Sequence, residues 1–394
     1  MISFDDAAGI VATIGAPLGR EWVTLARAHG RVLARPVVAE IDSPPADVSA
    51  MDGYAVRDED LSEHAELRLI GEAFAGEGFA GEVGAGECVR IFTGAPVPVG
   101  ADRVVVQEVV RREGDRAIVD GTVSAARHIR PRGSDFRVGD ELLPAGRRLD
   151  SRALVAAAGG DAGLVEVRLR PRVLIIGTGD ELAEPGTARE HPGRIPESVS
   201  LGVAALAADW GGEVVGRLRL RDDREEMERA APLALARCDL VVVTGGASVG
   251  EKDFAKTMFA AQGLELIFSK VSIKPGKPVW LGTAGGTLVL GLPGNPTSAL
   301  VTARLLLAPL LLRLGGDDPA RALRWRDASL SEPLGACGDR ETFVRGVAQG
   351  ERVQPLANQD SGAQRTLAQA DVLIRQRAGT PAREAGDAVE VIDF

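Results

Sequence analysis

The sequence predicts a multidomain chain of α/β plus β class, in which a central doubly wound α/β domain is flanked by small β-rich domains. Three observations lead there. Between residues 171 and 315, apolar strand-like runs end in polar or glycine-rich turns and alternate with helical stretches. That is the pattern of a buried parallel sheet with right-handed crossovers. The flanks instead carry short alternating runs rich in glycine and proline, and 394 residues exceed the usual span of one core.

The elements follow in order. Ser3 with Asp6 three positions later makes a capping-box pattern, and Asp5 and Asp6 suit a helix N-terminus. A helix is expected over about 4–15 and another near 21–35; residues 1–39 and 140–170 together form a helical linking domain I. In the β-rich domain II, 40–139, RVVVQEVVRREGDRAIVD reads as a hairpin turning at Glu113-Gly114-Asp115. A helix returns over 150–160. Domain III, 171–317, opens with the strand RVLIIGTGDEL and a helix near 197–210. The strand EVVGRLRLRDD and a helix over 223–237 follow, then the strand DLVVVTGGASVG. Its last strand runs into a turn and helix, GTLVLGLPGNPTSALVTARLL, with Asn295 as N-cap and Pro296 as first helical residue. Domain IV, 318–394, is β again.

Composition narrows the function. A net charge of −10 and a pI near 5.2 argue against a nucleic-acid binder. Cys88, Cys238 and Cys337 are far apart and the four histidines are scattered, so neither a disulfide framework nor a Cys/His zinc site is expected. Any metal would be a hard ion held by oxygen. The start MISFDDAAGIV lacks the basic and apolar regions of a secretory signal, and LLLAPLLL at 305–312 is too short to span a bilayer. The expectation is a cytoplasmic protein with no membrane or nucleic-acid partner.

The turns GTGDE, RLRDD, TGGASVGEKD and GLPGNP follow the carboxyl ends of strands, where open α/β sheets bind ligands. The loop TGGASVGEKDF has the five-residue step from Gly245 to Gly250 of a phosphate-binding loop but lacks its Lys-Ser/Thr ending. Gly245, Gly246 and Ser248 there, and Asn295 in the last turn, are candidates for an anion cradle. Asp180, Glu181, Asp222, Asp223, Glu251 and Asp253 fall on the same strand ends. Carboxylates beside a phosphate repel it unless a divalent cation intervenes, and Mg²⁺ takes one or two carboxylates plus phosphate oxygens. Lys270, Lys274 and Lys277 in SKVSIKPGKPVW form a basic set suited to an oxyanion.

SAMDGYAV, RIFTGAPVP, RPRGSDF, GTGDEL, GGASVGEKDF, IKPGKPV and GLPGNPTSAL stand here in one order. Together they resemble the molybdopterin molybdenumtransferase family, MoeA and the E-domain of gephyrin-type proteins, essentially end to end. The resemblance implies a homodimer with a shared active site and a molybdopterin-binding third domain. It implies Mg²⁺-dependent hydrolysis of the pyrophosphate link of adenylylated molybdopterin, release of AMP and insertion of molybdenum from molybdate. It also suggests the molybdopterin adenylyltransferase as a partner. By motif it implies catalytic roles for Asp52, Thr93, Asp135, Glu181, Asp222 and Asp253, the last three as metal ligands. It implies substrate-binding roles for Lys270, Lys274, Lys277, Pro293, Pro296, Arg345 and Ser361. The chain departs from the pattern at Val48, at GRIPESVS (193–200) and at Arg365-Thr366. A non-catalytic scaffold and a tungstate-using variant are the alternative readings.

Overall fold

The computed structural model describes residues 1–245 and 254–394. The chain divides into two compact units: Trp22–His29 with Leu33–Glu166, and Met1–Glu21 with Gly30–Val32 and Val167–Phe394.

The smaller unit is built on a six-stranded mixed sheet of β1 (Gly53–Val56), β2 (Glu66–Ala73), β3 (Glu87–Ile91), β4 (Arg103–Val106), β5 (Val110–Glu113) and β6 (Arg116–Val119). Its order is β4-β1-β3-β2-β6-β5, with β2 and β3 parallel. Side-chain alternation feeds two cores: Ala55, Val89 and Val104 pack on one face, Tyr54, Cys88 and Val105 on the other. The expected hairpin is present as β5–β6, turning at Gly114, whose φ is +62°. The expected helix near 21–35 is not: Arg20–Thr24 is a strand, followed by a single 3₁₀ turn, Leu25–Arg27. Trp22, Val23 and Thr24 explain this, because aromatic and β-branched side chains favour extended backbone.

In the larger unit β7 (Arg172–Thr178), β8 (Glu213–Leu220), β9 (Leu240–Thr244), β10 (Glu265–Phe268), β11 (Trp280–Ala284) and β12 (Thr287–Leu292) form one sheet in the order β8-β7-β9-β12-β11-β10. The four strands expected from the sequence are the parallel ones, and β11 and β10 add an antiparallel edge. Helices cover both faces. Val173, Ile175, Leu240 and Val242 meet α1 (Phe4–Thr13), α2 (Val199–Asp209) and the rod formed by α4 (Pro296–Thr302), a π turn (Ala303–Leu307) and α5 (Ala308–Leu314). Leu174, Ile176, Val241 and Val243 meet α3 (Arg224–Leu235). The capping box of α1 forms as expected, Asp6 N–H donating to Ser3 Oγ at 3.0 Å and Ser3 N–H to Asp6 Oδ2 at 3.3 Å. The rod Pro296–Leu314 is long and apolar enough by composition to cross a membrane, yet 89% of its most apolar window is buried, the mark of a core helix.

The last strands, β13 (Arg326–Leu330), β14 (Glu341–Gln349), β15 (Arg352–Pro355), β16 (Val372–Gln376) and β17 (Ala388–Asp393), close on themselves because β14 pairs with both β15 and β16. Val344, Val353, Ile374 and Val391 fill the interior, while Phe343, Leu373 and Ile392 join the core of the α/β sheet.

Candidate active site

The carboxyl ends of β7, β9 and β12 converge, as their turn residues require. Gly245 has a φ of +93°, and a Cβ there would lie 2.6 Å from the Thr178 carbonyl oxygen. A Cβ on Gly294 would lie 3.3 Å from the Gly245 Cα. Only glycine lets the three turns approach this closely.

They enclose a cleft of about 710 Å³, lined by Thr178, Glu181, Glu197, Asp222, Thr244, Gly245, Pro293, Asn295 and Pro296 among others. Six expected site residues therefore share one cavity: Glu181, Asp222, Gly245, Pro293, Asn295 and Pro296. The adjacent aspartates divide their work. Asp223 caps α3, its Oδ1 accepting from Glu226 N–H at 2.8 Å, while Asp222 lines the cleft with its N–H donating to Asp180 Oδ1 at 3.3 Å. Arg194 steadies the loop that carries Glu181 by donating to the carbonyls of Asp180 and Leu182.

Asn295 precedes α4 as expected but does not cap it. Its Nδ2 donates to Ser361 Oγ at 3.0 Å, and the Ser361 carbonyl accepts from Thr297 N–H at 3.0 Å. Ser361 thereby ties the segment after β15 to the start of α4, and Gly362 and Gln364 beside it line the cleft. Arg345 stands behind this wall at 1% exposure rather than in the lining. It donates to Thr297 Oγ1 at 3.2 Å and to the carbonyls of Asn358, Asp360 and Ala363 at 3.1, 3.0 and 3.4 Å. Burial pulls its guanidinium below the ordinary value. Its position is that of a brace.

The lysines lie elsewhere. Lys270, Lys274 and Lys277 are exposed, and of their turn only Pro278 lines the cleft. The turn packs its glycine on α4, since a Cβ on Gly276 would lie 2.2 Å from Thr302 Cγ2. Lys274 lines a separate hollow of about 460 Å³ at the barrel, with Glu332, Arg340 and Thr342. Gly246, Ser248 and Asp253 lie outside the described residues.

Glu197 was not anticipated. It is 5% exposed, accepts from Ser200 N–H at 2.8 Å and from the Ser200 hydroxyl, and has Arg217 Nη1 at 3.8 Å. The only signal was an acid placed just ahead of α2 in RIPESVS. Among the described residues no group of three or more His, Cys, Asp or Glu side chains could hold a metal ion. Two exposed or half-buried oxygen donors, Glu181 and Asp222, nevertheless share the cleft. That donor set fits Mg²⁺, which needs few protein ligands when phosphate oxygens complete its shell.

In the smaller unit, three motif loops meet. Ser49 N–H donates to the Ala95 carbonyl and Gly94 N–H to that of Ser49; Ile129 and Arg130 pair with Ser49 and Val48. Asp52 Oδ1 accepts from both the N–H and the hydroxyl of Thr93, each at 2.8 Å. Those two bonds hold the Asp52 carboxyl below the ordinary carboxylate range, with Arg90 adding to the effect. Asp135 stands apart from this pair, exposed, with its N–H on the Ser43 carbonyl at 3.0 Å.

Residues 2–160 match the family model of the MoeA N-terminal region (domain I and II), 174–313 that of a probable molybdopterin binding domain, and 327–394 that of the MoeA C-terminal region (domain IV). The chain is 37% identical to the molybdopterin molybdenumtransferase of Haemophilus influenzae over 321 residues, covering 80% of this chain and 78% of that protein. With the enzyme of the same name from Nostoc it shares 34% over 334 residues, covering 83% and 76%. A MoeA molybdopterin biosynthesis protein of Pyrococcus horikoshii superposes with a TM-score of 0.82 at 30% identity, covering 100% of this chain and 99% of that one.

Proposed function

The chain belongs to the molybdopterin molybdenumtransferase family, MoeA, and from that premise we propose that it inserts molybdenum into adenylylated molybdopterin. The substrates would be adenylylated molybdopterin and molybdate, and the products AMP and the molybdenum-loaded cofactor. The observation that carries this reading is the meeting of Glu181 and Asp222 in one cleft with the backbone of Gly245 and the Pro293–Pro296 turn.

Glu181 and Asp222, with Asp253, would hold Mg²⁺, which when bound offsets the charge of the substrate's linked phosphates. The chain's own groups do the rest. The Gly245 turn, free of a Cβ, lets phosphate oxygens approach backbone. Ser361 and Arg345 fix Asn295 and the start of α4, so the cleft wall is set before substrate arrives. The exposed Lys270, Lys274 and Lys277 would attract the polyanion and molybdate toward the cleft. Asp52, kept ionised by Thr93, would join Asp135 in the catalytic set, supplied within a homodimer. A molybdopterin adenylyltransferase would hand over the adenylylated substrate.

The test is whether the full chain, given Mg²⁺, adenylylated molybdopterin and molybdate, releases AMP and yields cofactor that activates an apo-molybdoenzyme. Protein that binds these substrates but leaves them unchanged would leave the scaffold reading in its place. Substituting tungstate for molybdate in the same assay distinguishes the tungstate-using variant.

A further inference from the structure

A second pocket in the larger unit, of about 520 Å³, is lined by Gly202, Asp209, Trp210, Arg304, Arg321 and Arg324 with the chain segment 392–394. Its central feature is Arg304, on the π turn between α4 and α5. π turns within helices recur at functional sites. Arg304 is 5% exposed, with its guanidinium carbon 4.7 Å from the Trp210 ring centre. Nε donates to the Asp393 carbonyl at 2.8 Å and Nη1 to the Ala322 carbonyl at 2.6 Å. Among the described residues Nη2 makes no hydrogen bond and no carboxylate lies within ion-pair distance of this guanidinium. Burial pushes it down to about 10.

Arg345 provides the contrast. It too is buried among carbonyls, but both terminal nitrogens are engaged and it lines none of the cavities described here. Arg304 is a buried charge, held by two neutral carbonyls, beside open volume. The Asp393 carboxylate acts on it only from beyond ion-pair distance, so the buried charge stays costly, and an anion in that volume would relieve the cost. The other charged groups at the pocket show which guanidinium can join Arg304. Arg321 is taken by Asp317, and the Asp393 carboxylate by Arg326 at 3.4 Å. Arg324 has no ion pair among the described residues, and Asp209 opposes it from the C-terminal end of α2. Arg304 and Arg324 thus bring two guanidinium groups to the lining, beside Asp209 and the chain segment that ends in Phe394.

We propose that this pocket binds a tetrahedral oxyanion of the phosphate class, gripped by the Arg304 and Arg324 guanidinium groups, which suit paired oxygen acceptors. The volume exceeds that of the bare ion and accommodates a small phosphate monoester as well. The proposal does not depend on the reaction assigned to the cleft, and its readout is binding.

The test is isothermal titration of the full chain with inorganic phosphate and, separately, with glycerol phosphate, alongside Trp210 fluorescence assigned by Trp210→Phe. Saturable binding is expected, with a fluorescence change that Trp210→Phe removes. Arg324→Ala, at an exposed position, should weaken it about tenfold. Asn295→Ala, in the cleft, should leave it unchanged. Binding of both ligands, or of one alone, supports the site and identifies whether free ion or ester fills it. Absence of saturable binding overturns the proposal. So does binding that Asn295→Ala weakens and Arg324→Ala does not.

Discussion

Thr93 places two donors on one oxygen of Asp52, and that single arrangement carries a pH prediction. A carboxyl held below its unfolded value contributes stability that is present above that value and is lost as pH falls through the lowered one. The charge of Asp52 should therefore persist into mildly acidic solution. In Thr93→Val the hydroxyl bond is gone and the N–H bond remains, so the acid limb of the pH–activity profile should move to higher pH. An unmoved limb would show that Asp52 does not set it. At this scale the sequence was informative where a motif fixes one local bond, as in Ser3–Asp6, but not for Asp52 and Thr93, whose bond joins residues 41 apart. It was less so for neighbours of like charge. From the residues alone Asp222 and Asp223 look interchangeable in RDD, although the resemblance singles out Asp222, and the start of α3 makes Asp223 the cap and leaves Asp222 to line the cleft. The resemblance gives Arg345 of FVRG a substrate-binding role, and nothing in the motif says that β14 buries it among carbonyls.

Elements were legible in proportion to their burial. Three of the parallel strands, β7, β9 and β12, carry continuous apolar runs because both faces are covered, and these and the half-exposed edge strand β8 were all expected. The antiparallel edge, β10 and β11, was not, since ELIF is largely exposed and WLGTA follows directly on a proline turn. The lysine turn shows the same limit. Nothing in KPGKP says that Pro278 lines the cleft while Lys274 lines the barrel hollow. The strand-end turns do allow a prediction at this scale. Gly245→Ala adds a Cβ 2.6 Å from the Thr178 carbonyl oxygen at a φ of +93°. It should cost roughly 1–3 kcal/mol of stability in denaturant unfolding. Because it shifts the turn beside Thr178, activity should fall on the order of tenfold even where the protein remains folded. Wild-type stability and activity in this variant would mean the turns are not packed as described.

Across the whole molecule, the candidate site residues are distributed over two units that differ in kind. The larger unit gathers carboxylates, a glycine turn and a helix start into one cleft, and the smaller presents a lowered-pKa aspartate among motif loops. The order of motifs along the chain was readable at once, because each is a turn with little freedom in its composition. That the strand-end turns share one cavity was expected from the fold class, whereas the position of the lysines outside that lining was not legible, because it depends on packing between distant segments. The central claim is that the cleft carboxylates act together with Mg²⁺ on the adenylylated substrate. It is tested most directly by following AMP release from adenylylated molybdopterin in wild-type protein and in Glu181→Gln and Asp222→Asn, across a Mg²⁺ titration. The account predicts Mg²⁺-dependent release by the wild type. It also predicts a loss of at least about a hundredfold in each folded variant, partly recovered at high Mg²⁺. Release that is indifferent to Mg²⁺, or undiminished in both variants, would contradict it.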